Sequence, residues 1–105
     1  MATSKRAQST LALLAALDHP ARRQILRAMA GRQAVCPREL SEELGRPLDN
    51  LSYHVRVLAH CGAVKLIRTE RVSGSTKHLY RASVRAGWAR TVLEATRGER
   101  LGEGP

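Results

Sequence analysis

Hydrophobic residues follow two different spacings along the chain, and the change from one to the other divides it into helices and a hairpin. From about residue 9 to residue 61, and again from residue 83 to residue 96, apolar side chains recur every three or four positions, which predicts amphipathic helices. Between these stretches apolar and polar residues partly alternate, as is typical of β-strands. The pattern therefore predicts four helices, a β-hairpin and a final helix.

Proline and glycine mark the limits of the first four helices. Pro20 and Pro37 suit the first turn of a helix, and Gly31 and Gly45 each follow the last turn of one. With these limits, the predicted helices span residues 9–17, 20–30, 37–44 and 48–61. The third and fourth are joined by a short glycine-containing turn, so they form a candidate helix-turn-helix.

The hairpin and the last helix complete the predicted fold. Residues 63–69 and 76–80 are the two strands, and the stretch 73–75 is the turn between them. The last helix is predicted over 83–96 from apolar residues spaced by four, namely Val84, Trp88 and Val92. The fold class is therefore mainly α with a small β-hairpin. The order α-α-α-α-β-β-α is that of a winged helix-turn-helix, in which the hairpin is the wing.

Length and charge bound the domain and its partners. The chain has 105 residues, enough for one domain with a modest core, and we assign 9–97 to it and 1–8 and 98–105 to flexible tails. It carries 18 Lys and Arg against 9 Asp and Glu, a formal net charge of +9. So basic a domain favours nucleic acid or an anionic surface as partner. A small arginine-rich protein can also be basic for no functional reason, so charge by itself leaves both interpretations open.

Composition argues against two kinds of partner. Aromatic residues make up 3% of the chain and phenylalanine is absent, which disfavours the stacking surfaces that bind single-stranded nucleic acid. No apolar run approaches the roughly 20 residues that span a bilayer, and the N-terminal stretch lacks the apolar core of a signal peptide. We therefore expect a cytoplasmic protein with no membrane partner.

The fourth helix carries the chemistry needed to read double-stranded DNA. A major groove about 12 Å wide admits one helix. Asn50 can pair with adenine, and Arg56 can read guanine or bind a phosphate. Ser52 and Tyr53 can hydrogen-bond to phosphates or base edges. The alternative is an ordinary solvated helix face.

Basic residues outside the fourth helix suit the DNA backbone. Arg68, Arg71 and Lys77 decorate the hairpin, where they can contact phosphates or the minor groove, and Arg46 lies beside the turn that precedes the fourth helix. Such contacts would fix position and affinity rather than sequence preference. Each of these residues can equally be a plain surface charge.

Three segments resemble the arsenic-repressor (ArsR/SmtB) group of bacterial winged-helix regulators. Residues 17–26 resemble that group's opening to the second helix, residues 51–64 its recognition helix, and residues 65–81, with Tyr80 near the end, its wing. The resemblance implies a homodimeric transcriptional regulator that binds operator DNA and represses transcription, with activation left open. It also places His54, which matches the group's fourth-helix histidine, at the DNA face.

The same resemblance implies a homodimer formed by the first and last helices. The residues placed at or near that interface are Leu11, Leu14, Trp88, Val92 and Leu93. Physical reasoning agrees, because so short a chain has little core left to cover its last helix. Folding of that helix back onto its own domain is the alternative. A two-fold dimer predicts an imperfectly palindromic operator with half-sites about one helical turn apart.

Metal sensing and catalysis are not expected. Many relatives bind metal through a Cys-x-Cys pair on the third helix, but here only Cys36 is present, and Arg38 stands in the second position. The last helix contains neither His nor Asp. We expect no metal and no cofactor, and leave open a redox role for Cys36 or Cys61. The sequence contains no glycine-rich phosphate loop, no carboxylate cluster and no nucleophile beside a base, so we do not expect an enzyme.

Two other function classes remain open. A winged helix can serve as a protein-interaction module, since fold does not settle function. A weakly specific architectural nucleic-acid binder is the other reading, although it would leave Asn50 and Arg56 idle. Basic residues gathered on one face would favour DNA, whereas an exposed apolar groove there would favour a protein partner.

Overall fold

The computed structural model describes residues 5–99, and its elements follow the order predicted from the sequence. The mainly α winged helix-turn-helix prediction is confirmed. The elements are α1 Lys5–Leu17, α2 Pro20–Met29, α3 Pro37–Leu44, α4 Leu48–His60, β1 Val64–Val72, β2 Ser75–Ala82 and α5 Gly87–Ala95.

One hydrophobic core joins the helices to the base of the hairpin. The inner faces of α2 and α4 supply most of its large side chains, among them Ile25, Met29, Leu51 and Leu58, which are fully buried. Leu40 of α3 and Val64 of β1 belong to the same cluster. Because the apolar positions of each helix recur at helical spacing, each presents one apolar stripe inward and leaves its other side to solvent.

The turn between α3 and α4 is fixed by backbone geometry. Gly45 ends α3 with a φ of 63°, a left-handed conformation that a residue without a Cβ adopts at little cost. The backbone N–H of Arg46 donates to the carbonyl of Ser41 at 3.1 Å, and the Ser41 hydroxyl donates to the carbonyl of Arg46 at 2.5 Å. These bonds set the direction in which α4 leaves the turn.

The wing is an antiparallel pair of strands that is anchored at its base. The register runs from Val64 opposite Ala82 to Val72 opposite Ser75, with an irregularity between Leu66 and Arg68. Val35, in the loop before α3, exchanges two backbone hydrogen bonds of 2.8 Å with Tyr80. The sequence pattern did not predict this bridge. It joins β2, through Tyr80, to the segment that leads into α3.

Both terminal helices differ from the prediction at one end. α1 begins at Lys5, four residues before the expected start, so residues 5–8 are helix rather than tail. α5 begins at Gly87 instead of residue 83, because the Ser83 backbone N–H bonds to the carbonyl of Ala63 at 2.8 Å and prolongs the hairpin. Of the predicted C-terminal tail, residues 98 and 99 are described and follow α5, and residues 1–4 and 100–105 lie outside the described residues.

Substitution in the core tests the packing described above. We expect Leu58→Ala to lower the free energy of unfolding by about 2–5 kcal/mol, because the side chain is fully buried and its removal leaves a cavity. Leu66→Ala is the matched control, since that leucine is about half exposed, and we expect a loss below about 1 kcal/mol. Urea unfolding of the two variants measures the difference, and equal losses would contradict the assignment.

Candidate nucleic-acid interface

α4 turns one polar face to solvent because its other face is held in the core. Leu51, Val55 and Leu58 anchor the inner side. Side chains on the opposite side are exposed from the first turn to the last, namely Asp49, Tyr53, Arg56 and His60. Arg56 makes no hydrogen bond or ion pair with any residue between 5 and 99. The outer face of α4 is thus an exposed polar surface that runs along the whole helix.

The start of α4 carries a small polar cluster that joins two predicted site residues. Arg46 donates from Nε to Oε1 of Gln24 on α2 at 3.1 Å, and from Nη1 to Oδ1 of Asn50 at 3.4 Å. The guanidinium is therefore held beside the first turn of α4, with Asn50 exposed next to it. Gln24, which the sequence analysis did not single out, is the residue that orients Arg46.

Ser52 faces a different neighbour, the groove between the helices and the wing. This groove has a volume of about 540 Å³ and is bounded by the beginnings of α3 and α4 on one side and by the tip of the hairpin on the other. Ser52 and Lys77 both line it. The structure therefore brings a predicted α4 residue and a predicted wing residue to one concave surface.

The three predicted wing cations have different surroundings. Arg68 donates to the carboxylate of Glu70 at 2.8 Å, and Lys77 lies 3.9 Å from the carboxylate of Glu39 on α3. Arg71 is exposed near the tip and forms no ion pair within the described part of the chain. Exposed pairs of this kind are worth little in stability, so all three cations keep their charge available to an anionic partner.

His54 is not at the solvent face, which corrects the expectation taken from the resemblance. Its side chain is 4% exposed, and its Nδ1 accepts a hydrogen bond of 3.2 Å from Nε of Arg22 on α2. The His19 ring, at the start of α2, lies with its centroid 4.5 Å away. His54 therefore packs α4 against α2 and cannot contact a base in this arrangement.

Helix geometry explains the misplacement of His54. Residues four positions apart are separated by about 40° around a helix, so His54 lies close to Leu58 on the inner side. A wheel drawn on Leu51, Val55 and Leu58 would have shown this from the sequence. The partner of His54 on α2, Arg22, has a structural role, because it contacts both that histidine and the end of α1.

Burial beside positive charges keeps His54 neutral. Desolvation, followed by the charges of His19, Arg22 and Arg46, lowers the pKa of His54 from its ordinary 6.5 to about 4. The pKa of His19 is lowered for the same kinds of reason, burial first. A neutral His54 is the form that can accept the Arg22 hydrogen bond through Nδ1.

The residues predicted for a dimer interface fall into two groups. Leu11 and Leu14 on α1 are 60% and 53% exposed. Trp88 and Leu93 on α5 are half-buried and pack against the protomer's own core, and Val92 is also half-buried. The exposed leucines are thus an apolar surface that the described part of their own protomer leaves uncovered.

The described residues offer no recognisable metal site or membrane span. Among residues 5–99, no group of three or more His, Cys, Asp and Glu side chains is arranged to hold a metal ion. Both cysteines in that range are free thiols, Cys36 buried and Cys61 half-buried. No helix in the described part of the chain is long and apolar enough to cross a membrane.

One family model matches the centre of the chain. Residues 17–67 match the model of a family described as a helix-turn-helix domain. The match spans α2, α3, α4 and the first residues of β1, and it supports a DNA-binding regulator. No curated protein matches the chain closely enough to count as a relative.

The contact between His54 and α2 makes the stability of the helix-turn-helix domain depend on pH. The unfolded chain gains a proton at His54 near pH 6.5, whereas the folded protein resists protonation until about pH 4. Lowering the pH through this window therefore lowers the free energy of unfolding, by up to about 3 kcal/mol. The carboxylates affect the free energy of unfolding only at lower pH. Glu99 has a pKa of about 2 in the folded protein and an ordinary pKa of 4.5, so its contribution is lost only as the pH falls below about 4.5.

Two histidine variants separate this effect from the rest of the chain. We expect His54→Gln to remove most of the loss between pH 6.5 and pH 4.5, because glutamine does not titrate. His60→Gln is the control, since His60 is exposed at the end of α4, and it should keep the wild-type slope. Urea unfolding at the two pH values gives the slopes, and a His54→Gln slope equal to that of wild type would refute the assignment.

Proposed function

We propose that this protein is a sequence-specific regulator of transcription that binds double-stranded DNA as a homodimer and acts as a repressor. In this proposal α4 enters the major groove, and the wing contacts the backbone or the minor groove. Membership of the ArsR/SmtB group is part of the same proposal, supported by the resemblance of residues 17–26 and 51–64. The helix-turn-helix match over 17–67 is compatible with it.

The free outer face of α4 carries the proposal. Its inner stripe is fully used in the core, so the polar side chains opposite serve no purpose in folding. Arg56 in the middle of this face is exposed and without a partner among residues 5–99, in position for a guanine edge or a phosphate. Tyr53, also exposed, is one turn before it.

Backbone contacts are proposed on both sides of that helix. Arg46, held by Gln24 and Asn50, would meet a phosphate beside the start of α4. Arg71 at the wing tip and Lys77 along the groove would meet the backbone on the other side. The net charge of +9 supports such contacts, because each neutralised phosphate releases condensed counterions.

A binding titration tests the proposal directly. The probes are DNA from the region upstream of the protein's own gene and random DNA of equal length, each at two salt concentrations. We expect tighter binding to the upstream DNA, with a logarithmic salt slope of about −0.9 for each neutralised phosphate. Equal weak binding to both would favour an architectural role, and no binding at low salt would favour a protein-interaction module.

Substitution of Arg56 distinguishes a base contact from a phosphate contact. We expect Arg56→Ala to weaken binding to the preferred DNA by about 1–3 kcal/mol with a smaller effect on random DNA, if the guanidinium reads a base. Equal loss on both DNAs, with the salt slope reduced by about 1, would mark a phosphate contact. Arg97→Ala, at the exposed segment after α5, is the control and should bind as wild type does.

The dimer is tested at the exposed leucines of α1. We expect Leu14→Glu to produce monomers, because a charge would replace an apolar side chain that is exposed in the described protomer and that the proposed partner subunit covers. Leu66→Glu, at another half-exposed leucine, is the control for adding a charge and should remain dimeric. Sedimentation velocity gives the oligomeric state, and an unchanged dimer for Leu14→Glu would refute this interface. Trp88→Glu should also give monomers, but it disturbs the protomer's own packing as well.

A further inference from the structure

Three arginines of α2 contact the ends of α1 and α5 and the middle of α4. Arg22, Arg23 and Arg27 lie on the same helix, and each donates hydrogen bonds to a backbone carbonyl or side chain outside it. Because their side chains are long and planar, one helix can contact several neighbours in fixed geometry. Together with Glu99, which follows α5, we call these residues the arginine clasp.

Arg23 forms the centre of the clasp. Its Nε and Nη2 donate to the two carboxylate oxygens of Glu99 at 2.8 and 2.6 Å, a two-pronged pair, and its Nη1 donates to the carbonyl of Leu17 at 2.6 Å. The side chains of Arg23 and Glu99 are only 13% and 21% exposed. Arg23 therefore joins the last residue of α1 to the segment behind α5.

Arg27 fastens α5 itself. Its Nε and Nη2 donate to the carbonyl of Leu93 at 3.3 and 3.2 Å, and Nη2 also donates to the hydroxyl of Thr96. The same guanidinium reaches Glu99 through Nη1 at 3.2 Å. The last backbone carbonyls of a helix have no hydrogen-bond donors within the helix. Arg27 donates to one of them, that of Leu93, and its positive charge lies at the negative end of the α5 dipole.

Arg22 extends the network to α4. It donates to the carbonyl of Ala16, one residue before the end of α1, at 3.4 Å, and to His54 at 3.2 Å. Arg22 and Arg23 thus both contact the end of α1, and Arg22 also contacts α4, whose outer face carries Arg56. The polar network runs from α4 through α2 to both helices of the proposed dimer interface.

We propose that the arginine clasp fixes the orientation of α1 and α5 relative to α4, and that Glu99 is the positioning residue that closes it. The inference rests on the proposed function, because its consequence for DNA follows only if α1 and α5 join two protomers. In a dimer on a palindrome, the two copies of α4 must meet half-sites at a fixed separation. The angle between α5 and α4 within each protomer then sets that separation.

Glu99 is the residue on which the closure depends because, among the described residues, its carboxylate is the one that Arg23 and Arg27 both contact. Removing its carboxylate leaves two guanidiniums close together and largely desolvated, a costly arrangement that the chain relieves by releasing one of them. Apart from the arginine contacts, the described segment behind α5 is held by short-range bonds: the Arg97 backbone N–H donates to the carbonyl of Glu94 at 3.2 Å, the Glu99 backbone N–H donates to the carbonyl of Thr96 at 3.0 Å, and Arg97 forms an exposed pair with Glu94. The pKa of Glu99, lowered to about 2 by the hydrogen bond from Arg23 and then that from Arg27, agrees with a tightly held carboxylate.

Glu99→Gln is the test variant, and Glu94→Gln is its matched control. Glu94 lies on the same helix end but forms an exposed pair with Arg97, with both side chains 71% exposed. Trp88, the single tryptophan of the chain, lies on α5 and reports its packing without DNA. We expect Glu99→Gln to shift Trp88 emission to longer wavelength and to speed hydrogen exchange in α5 more than in α4. The control should behave as wild type does in both.

The DNA measurement uses duplexes selected from a random library by the wild-type protein. Their central spacer is then lengthened or shortened by one base pair. We expect wild type to lose affinity strongly on either change, and Glu99→Gln to bind the original spacing about tenfold more weakly while discriminating less between spacings. Plain destabilisation would instead reduce binding to all spacings by the same factor.

The outcomes separate the clasp from the proposed function. If wild type selects no DNA or is monomeric, the proposed function fails, and the clasp stands or falls on Trp88 emission and exchange in α5. Unchanged emission and exchange in Glu99→Gln would overturn the clasp whatever the DNA result. A released α5 together with unchanged spacing preference would overturn the positioning role.

Discussion

Burial of the inner stripe of α4 is the contact on which the rest of this structure depends. Leu51, Val55 and Leu58 occupy the centre of the core, so α4 can neither rotate about its axis nor slide without exposing them. Fixing that side also fixes which side chains point outward. The outer face with Tyr53 and Arg56 is therefore a consequence of packing on the opposite side.

α2 is the helix that contacts and orients the terminal helices of this small domain. Its apolar side packs into the core through Ile25 and Met29, while its arginines contact the ends of α1 and α5. A chain of this length has too little apolar surface to hold two terminal helices by burial alone. Charge-assisted hydrogen bonds to helix ends and to Glu99 supply orientation where the core does not reach.

The wing depends on a contact of another kind. β1 and β2 pair with one another, but two strands in isolation are marginal in water. The bridge from Val35 to Tyr80 and the buried side chains of Val64 and Leu79 attach the hairpin to the helices. This attachment places the tip of the wing across a groove from the start of α4, and Ser52 and Lys77, one predicted contact residue from each region, both line that groove.

The sequence by itself determined the number, type and order of the elements, because apolar periodicity and the helix breakers Pro20, Pro37 and Gly45 are local signals. It also indicated most of the outward residues of α4, since these follow from the spacing of the stripe. It misplaced His54 at the outer face and began α5 four residues early. The early start of α5 concerns a partner distant in sequence, since Ser83 bonds to Ala63, whereas the spacing of His54 from Leu58 already placed it on the inner side.

Only the tertiary structure decided what each charged residue does. Arginine has the same local pattern whether it is exposed, as Arg56 is, or turned onto a helix end, as Arg27 is. The difference lies in which acceptors the fold brings within reach of a long side chain. Glu99, assigned to a tail from its polar and glycine-rich surroundings, is held by Arg23 because the chain returns past α2 after α5. Pairings across such distances carry no periodic signal, so they emerge only when the core has set the helices in place.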